Sequence, residues 1–309
     1  MEYVIKANGL GKSYKKFKAL DGLTLSVPKG SIYGLVGRNG AGKTTLFRIL
    51  CGLQEPSSGD YEIYGVKYDD SKIGKARRRM GAVVETPAIY LDMTAEQNLK
   101  YQCNMLGVAD KSCTDKLLKL VGLENTGKKR VKNFSLGMKQ RLGIAVALVG
   151  EPDLLILDEP INGLDPQGIV EVRELILKLN REKEITVIIS SHILDELAKL
   201  ATYYGFVESG RVIKEMSAEE LESNCRKCIR MEVSDTAAMS RALDRMGVEY
   251  KILSENTADI YAKLNFSKLA SALSEEKCDV ITMIEHDETL EGFFISLVGG
   301  GDNGNADKS

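Results

Sequence analysis

No apolar run in this 309-residue chain is long enough to cross a membrane. The richest stretches, LGIAVAL from Leu142 and LLIL from Leu154, fall far short of the about 20 residues that a spanning helix needs. Cysteine is scarce: six residues over this length exclude a disulfide scaffold, and reduced thiols are expected. Cys225 and Cys228 form one CxxC, but no second pair at zinc spacing accompanies it. Histidine is scarcer still, with only His192 and His286, and no motif surrounds the second. An excess of either charge is missing too. Forty-two Lys and Arg against 44 Asp and Glu leave a net charge of -2, so nothing in the balance points to nucleic acid or an acidic membrane surface. The basic runs from Lys75 to Arg79 and from Lys128 to Lys132 read as solvated faces. The opening MEYVIKANGL turns directly into strand-like alternation without a signal-peptide pattern. Any work at a membrane is therefore expected from the cytoplasmic side, through a partner.

What remains is a composition of 43% hydrophobic and 28% charged residues, that of a soluble globular protein with one large and one smaller domain. Residues 2–8 and 23–27 alternate like edge strands of a small antiparallel sheet. SIYGLV, from Ser31 to Val36, is a short apolar run leading through a glycine-rich turn into a helical pattern from Lys43. Residues 94–147 read as mostly helical, opened by a Thr94–Gln97 capping box. From Leu154 strand and helix alternate, which predicts a parallel-rich α/β core carrying a helical subdomain. Beyond a boundary near 215, the order strand, helix, two strands, helix, strand over 228–285 suits a small ferredoxin-like layer. A helix over 289–298 follows, and the polar, glycine-rich residues 300–309 are expected to be disordered.

The densest chemistry lies in GRNGAGKT, Gly37 to Thr44, a complete G-x-x-x-x-G-K-[ST] between a strand and a helix. Its glycines let backbone N–H groups turn toward phosphates, and the helix N-terminus favours their charge. Gly37, Asn39, Gly40, Ala41, Gly42, Lys43, Thr44 and Thr45 are the expected nucleotide contacts. Lys43 reaches the β- and γ-phosphates, and the Thr44 hydroxyl ligates Mg²⁺. LLILDE, Leu154 to Glu159, is an apolar strand ending in two carboxylates. Asp158 would anchor the metal, and Glu159 would polarise an attacking water as general base. Between these motifs stands FSLGMKQR from Phe134, whose Ser135 is also an ordinary helix N-cap.

The set resembles the ATP-binding subunits of ABC transporters, whose signature begins LSGGQ. Ser135 and Gly137 match that pattern, while Phe134, Leu136 and Met138 depart from it. The resemblance, close over residues 1 to about 215, implies several roles. The signature of a second copy faces the phosphate loop, so Ser135 and Gly137 contact ATP across a dimer. Asp165 in NGLDP is the D-loop residue, His192 in IISSH is the switch histidine near the γ-phosphate, and Tyr14 stacks on adenine, with Phe17 close enough to compete. Where the family has glutamine after the strand GAVV, this chain has Glu85, similar to an E-loop variant found in bacitracin and lantibiotic resistance exporters. Glu85 is accordingly a candidate nucleotide, metal or coupling residue.

These readings imply an α/β P-loop ATPase core over 1–215, with an antiparallel edge sheet and a helical subdomain, followed by an accessory α/β domain over 216–299. The implied function is that of an ATP-hydrolysing subunit, bound to the inner face of the cell membrane through permease subunits and exporting a peptide antibiotic or related amphiphile. Two alternatives stand beside it. One is a soluble ATPase of the same superfamily acting on nucleic acid or ribosomes, which would usually carry two cores or a long coiled-coil insertion. The other is a switch that does not hydrolyse ATP, against which Glu159 and His192 both argue.

Overall fold

A computed structural model describes residues 2–110, 112–224, 228–261, 266–286 and 290–299. The tail 300–309 and Cys225 of the CxxC lie outside the described residues. The chain forms two compact units, Met1–Ala218 and Glu219–Ser309.

The first unit opens with a long hairpin, β1 (Tyr3–Tyr14) and β2 (Phe17–Pro28), which pairs with β4 (Ser58–Ile63) and β5 (Val66–Lys67) in an antiparallel sheet. Both long strands extend well past the segments read from alternation. The register of β1 on β2 shifts between Ala7 and Leu10 and again beyond, and Gly9 adopts φ +60° and Gly22 φ +69°. Such irregularities flip the side-chain alternation, so the strands continue where the period-two pattern stops.

The second sheet runs β10-β9-β3-β8-β7-β6. It comprises β3 (Ile32–Val36), β6 (Met80–Val83), β7 (Leu154–Asp158), β8 (Thr186–Ser191), β9 (Tyr203–Glu208) and β10 (Arg211–Ser217), parallel except for β10. Strands β3, β7 and β8 are buried along their whole length. Burial on both faces explains their continuous apolar sequences. Since β10 stays paired with β9 to Ser217, the division between units falls just beyond it.

Around the sheet lie α1 (Lys43–Leu50), the short α2 (Ile73–Arg77), α6 (Pro166–Lys183) and α7 (Leu194–Ala198). The helical subdomain comprises α3 (Ala95–Leu106), α4 (Cys113–Leu120) and α5 (Leu136–Ala147), which pack on one another. The Thr94–Gln97 capping box is present in full. Helix α5 also packs on β6 and on the loop that follows it, through two glycines. A Cβ at Gly81 would stand 2.2 Å from the Ala147 carbonyl oxygen, and one at Gly143 would stand 2.5 Å from the Pro87 Cβ. Cysteines 51, 103, 113, 228 and 278 are free thiols.

Helix α8 (Ala218–Asn224) starts at the division, and the second unit continues with β11 (Cys228–Val233), α9 (Thr236–Met246), β12 (Tyr250–Ile252), β13 (Thr257–Ile260), α10 (Phe266–Glu275), β14 (Val280–His286) and α11 (Leu290–Gly299). The antiparallel sheet order β12-β13-β11-β14 is ferredoxin-like. Ile229, Met231 and Val233 cover Ala238, Met239, Leu243, Leu269 and Leu273 in a core of its own.

The close approach of β6 and α5 leaves no room for a side chain. Gly81→Ala is expected to lower the unfolding free energy by about 1–3 kcal/mol, the usual cost of overpacking. Urea denaturation of the two proteins side by side measures it; an unchanged midpoint would contradict the contact.

Candidate functional site

Strand β3 ends in the loop Gly37–Gly42, which reverses the chain into α1. The turn requires left-handed backbone at Gly40 (φ +84°) and Gly42 (φ +106°). Gly37 is demanded by space: a Cβ there would come within 2.5 Å of the Val207 carbonyl oxygen. Gly42 is the N-cap of α1 without a side-chain cap, and no acid occupies the first turn. The N-terminal amides of α1 therefore face the loop without a competing anion, which makes the helix start an anion site.

Lys43 is only 6% exposed. Its Nζ donates to the carbonyl oxygens of Gly37 (2.7 Å) and Arg38 (3.2 Å) and lies 3.5 Å from Glu159 Oε1. Several oxygen partners hold the buried ammonium in a fixed direction. Strand β7 brings Asp158 beside α1, where Thr44 Oγ1 donates to Asp158 Oδ2 at 2.8 Å. The next residue, Glu159, has φ +49°, an uncommon conformation for a residue with a side chain. Its Oε2 lies 2.7 Å from His192 Nδ1, just past β8. A pocket of about 210 Å³ is lined by Asn39, Gly40, Gly42, Lys43, Thr44, Thr45 and Glu159, with Phe17 and Ala19 from the hairpin. Among the candidates named from sequence, Gly37, Ala41, Asp158 and His192 support this lining from behind or beside it.

Five candidates stand apart from the lining. Tyr14 is opposite Phe17 across the hairpin turn and donates its hydroxyl to Gln54; Phe17 is the aromatic on the pocket wall. Glu85, half exposed with φ +63°, pairs with Arg48 on α1. Ser135 caps α5, accepting from Met138 N at 3.2 Å, and Gly137 is buried in the first turn of that helix. Asp165 caps α6 by accepting from Gly168 N at 3.1 Å, with Pro166 at the first helical position.

Two participants escaped the motif reading. Arg48 is the partner of Glu85. Ser190 is fully buried on β8; its Oγ donates to Asp158 Oδ1 at 2.7 Å and accepts from Glu159 N at 2.9 Å. The signal for Ser190 was available: a hydroxyl inside the apolar strand TVIISS needs a buried partner.

The chain is similar to known proteins along nearly its whole length. The family model described as ABC transporter matches residues 20–162. The bacitracin transport ATP-binding protein BcrA of Bacillus licheniformis is 41% identical over 306 residues, covering 97% of this chain and 99% of that protein. The lantibiotic transport ATP-binding protein SrtF of Streptococcus pyogenes is 44% identical over 220 residues, covering 71% of this chain and 93% of that one. Among solved structures, CbiO1 from Clostridium perfringens, part of the ABC transporter complex CbiONQ, aligns with TM-score 0.65 and 28% identity, covering 80% of this chain and 97% of its own. A dimeric, post-hydrolysis ATP-binding cassette, MJ0796 bound to ADP and phosphate, aligns with TM-score 0.63 and 25% identity over 69% of this chain and 98% of its own.

A Cβ at Gly42 would meet the Ala19 carbonyl oxygen at 2.6 Å, in a left-handed conformation. Gly42→Ala is expected to destabilise the fold by about 1–3 kcal/mol through that strain and to weaken nucleotide binding with it. Thermal unfolding and titration with a fluorescent ATP analogue read the two losses; retention of both would contradict the loop geometry.

Proposed function

This chain belongs to the ATP-binding subunits of ABC transporters, and on that premise we propose how its residues drive transport and what is transported. As a member it is an ATPase subunit of a transporter. The relatives that match along its whole length are named for transport, so the reading as an ATPase working on nucleic acid or ribosomes is set aside.

The observation that carries the mechanism is the convergence of Lys43, Thr44, Asp158, Glu159 and His192 at one small pocket. The phosphates of ATP fit the amide-lined loop and the start of α1, with Lys43 exchanging loop carbonyls for phosphate oxygens. Phe17 and Tyr14, flanking the same turn, offer aromatic faces to the base. Thr44 and Asp158 would hold Mg²⁺: hydroxyl and carboxylate oxygens suit a hard cation. No group of three or more His, Cys, Asp or Glu gathers as a metal cage among the described residues, which fits a cation completed by phosphate and water oxygens. When bound, it neutralises phosphate charge. Glu159 takes a proton from the water that attacks the γ-phosphorus, the bond to the β-phosphate oxygen breaks, and ADP leaves with the electron pair. His192 keeps Glu159 Oε2 aimed during the transfer. Such catalysis is mostly positioning and electrostatics.

Ser135 and Gly137 lie outside their own chain's pocket, which supports their use by a second ATPase subunit. This chain has a surface suited to a permease. A groove of about 730 Å³ runs between β6 and the helices α3 and α5, bordered by Met105, Leu106, Ala88 and Gly143. Met105 is 67% exposed, an apolar rim suited to a partner. Among the described residues no helix is long and apolar enough to cross a membrane. Family membership supports work at the inner face through that partner. Glu85 begins the loop next to this groove and is tied by Arg48 to α1. We assign it to coupling ATP hydrolysis to the permease in preference to holding metal. The cargo is a peptide antibiotic of the bacitracin or lantibiotic kind, a reading supported by the names of the relatives.

Two substitutions test this. Glu159→Gln should cut hydrolysis roughly 10²–10⁴-fold, the range of a lost general base, and elute as a dimer with ATP on size exclusion. Wild-type turnover in that protein would sink the assignment. Glu85→Ala should change ATP affinity by about 1 kcal/mol or less, as for an exposed ion pair, yet lose substrate-stimulated hydrolysis in the assembled transporter. Collapse of affinity with stimulation intact would make Glu85 a nucleotide anchor.

A further inference from the structure

We infer that Ser190 is a positioning residue that aligns the metal-side carboxylate and the general base together. This rests on the ATPase reading above and adds a residue to which the sequence motifs assign no role.

Ser190 Oγ has one proton to give and gives it to Asp158 Oδ1 at 2.7 Å, while the Glu159 amide donates to Ser190 Oγ at 2.9 Å. The two bonds fix the hydroxyl's direction, because a carboxylate only accepts and an amide N–H only donates. Asp158, itself 3% exposed, then has Oδ1 occupied and keeps Oδ2 for Thr44 at 2.8 Å. On the other side, the bond to the amide pins the peptide that enters Glu159 at φ +49°. That left-handed turn aims the Glu159 carboxylate between Lys43 and His192. One buried hydroxyl thus sets the rotation of Asp158 and the backbone of Glu159. No solvent reaches Ser190 to replace it, since its exposure is 0%. Its neighbour Ser191 is equally buried, but its side chain bonds Ile193 alone among the described residues, so the relay belongs to Ser190 and not to serines of this strand generally.

Removing the hydroxyl orphans an acceptor on Asp158 and a donor on Glu159 at once. The consequence is selective: metal affinity and turnover fall, while metal-free ATP binding, carried by the loop and Lys43, stays. The test uses the full chain. Mn²⁺ binding to the ATP-loaded protein is followed by electron paramagnetic resonance, ATP binding is measured in EDTA, and kcat is measured separately from KM. Ser190→Ala and the near-isosteric Ser190→Cys are expected to lose roughly 10–100-fold in Mn²⁺ affinity and in kcat, the range for residues that orient a metal's ligands. The ATP affinity in EDTA should remain that of the wild type. Ser190→Thr, which restores a hydroxyl, should recover most of the Mn²⁺ affinity. The inference is overturned if Ala and Cys variants bind Mn²⁺ as the wild type does, if ATP affinity in EDTA falls in parallel, or if Thr is as impaired as Ala. Failure of the wild type to bind Mn²⁺ with ATP would instead overturn the ATPase site assignment itself.

Discussion

A lysine buried as deeply as Lys43 must be surrounded by oxygen, and the core of the first unit is arranged to provide it. Two carbonyls come from the loop that precedes α1, which is why that loop must fold back on itself at Gly40 and Gly42. The carboxylate of Glu159 comes from the end of β7, which must therefore lie close to α1. Parallel pairing of β7 with β8 brings Ser190 opposite Asp158 and carries His192 to the same edge. The demand at that nitrogen is met by the loop after β3 and the end of β7, and β8 holds the Glu159 end in place through Ser190 and His192.

This dependence explains why so much was legible. The phosphate loop, the acidic end of β7 and the short apolar strands are contiguous in sequence, and their chemistry is local. The parallel core, the helical subdomain and the ferredoxin-like order of the second unit follow from periodicity and from caps such as Thr94. What stayed hidden depends on geometry across the chain. The antiparallel hairpin is longer than its alternation because bulges reset the register at Gly9 and Gly22. The partner of Glu85 is Arg48, one helix away, and no motif connects them. Phe17, not Tyr14, lines the pocket, although the two stand opposite each other at one tight turn. Ser190 was visible only as an unexplained hydroxyl in an apolar strand.

The Glu85 loop is joined to both halves of the unit. Arg48 ties its acid to α1, the helix that begins at the phosphates, and Pro87 packs against Gly143 on α5, the helix that Ser135 opens. A shift of α5 relative to the sheet would therefore press on this loop through side-chain contact alone. The Arg48–Glu85 pair is partly exposed and contributes little to stability, so it can exchange partners at small cost. A cheap ion pair beside a rigid packing contact is a suitable combination for a segment that moves.

The Gly143–Pro87 contact also limits how freely such proteins can be recombined. Two turns separate Ser135 from Gly143 on one helix, so a graft of α5 from another chain would transfer the cap and the packing surface together. If the donor helix carried any side chain where Gly143 stands, the Cβ would collide with Pro87 and displace the loop that holds Glu85. The helix and the loop therefore form a single unit of inheritance, exchangeable as a pair and not as parts.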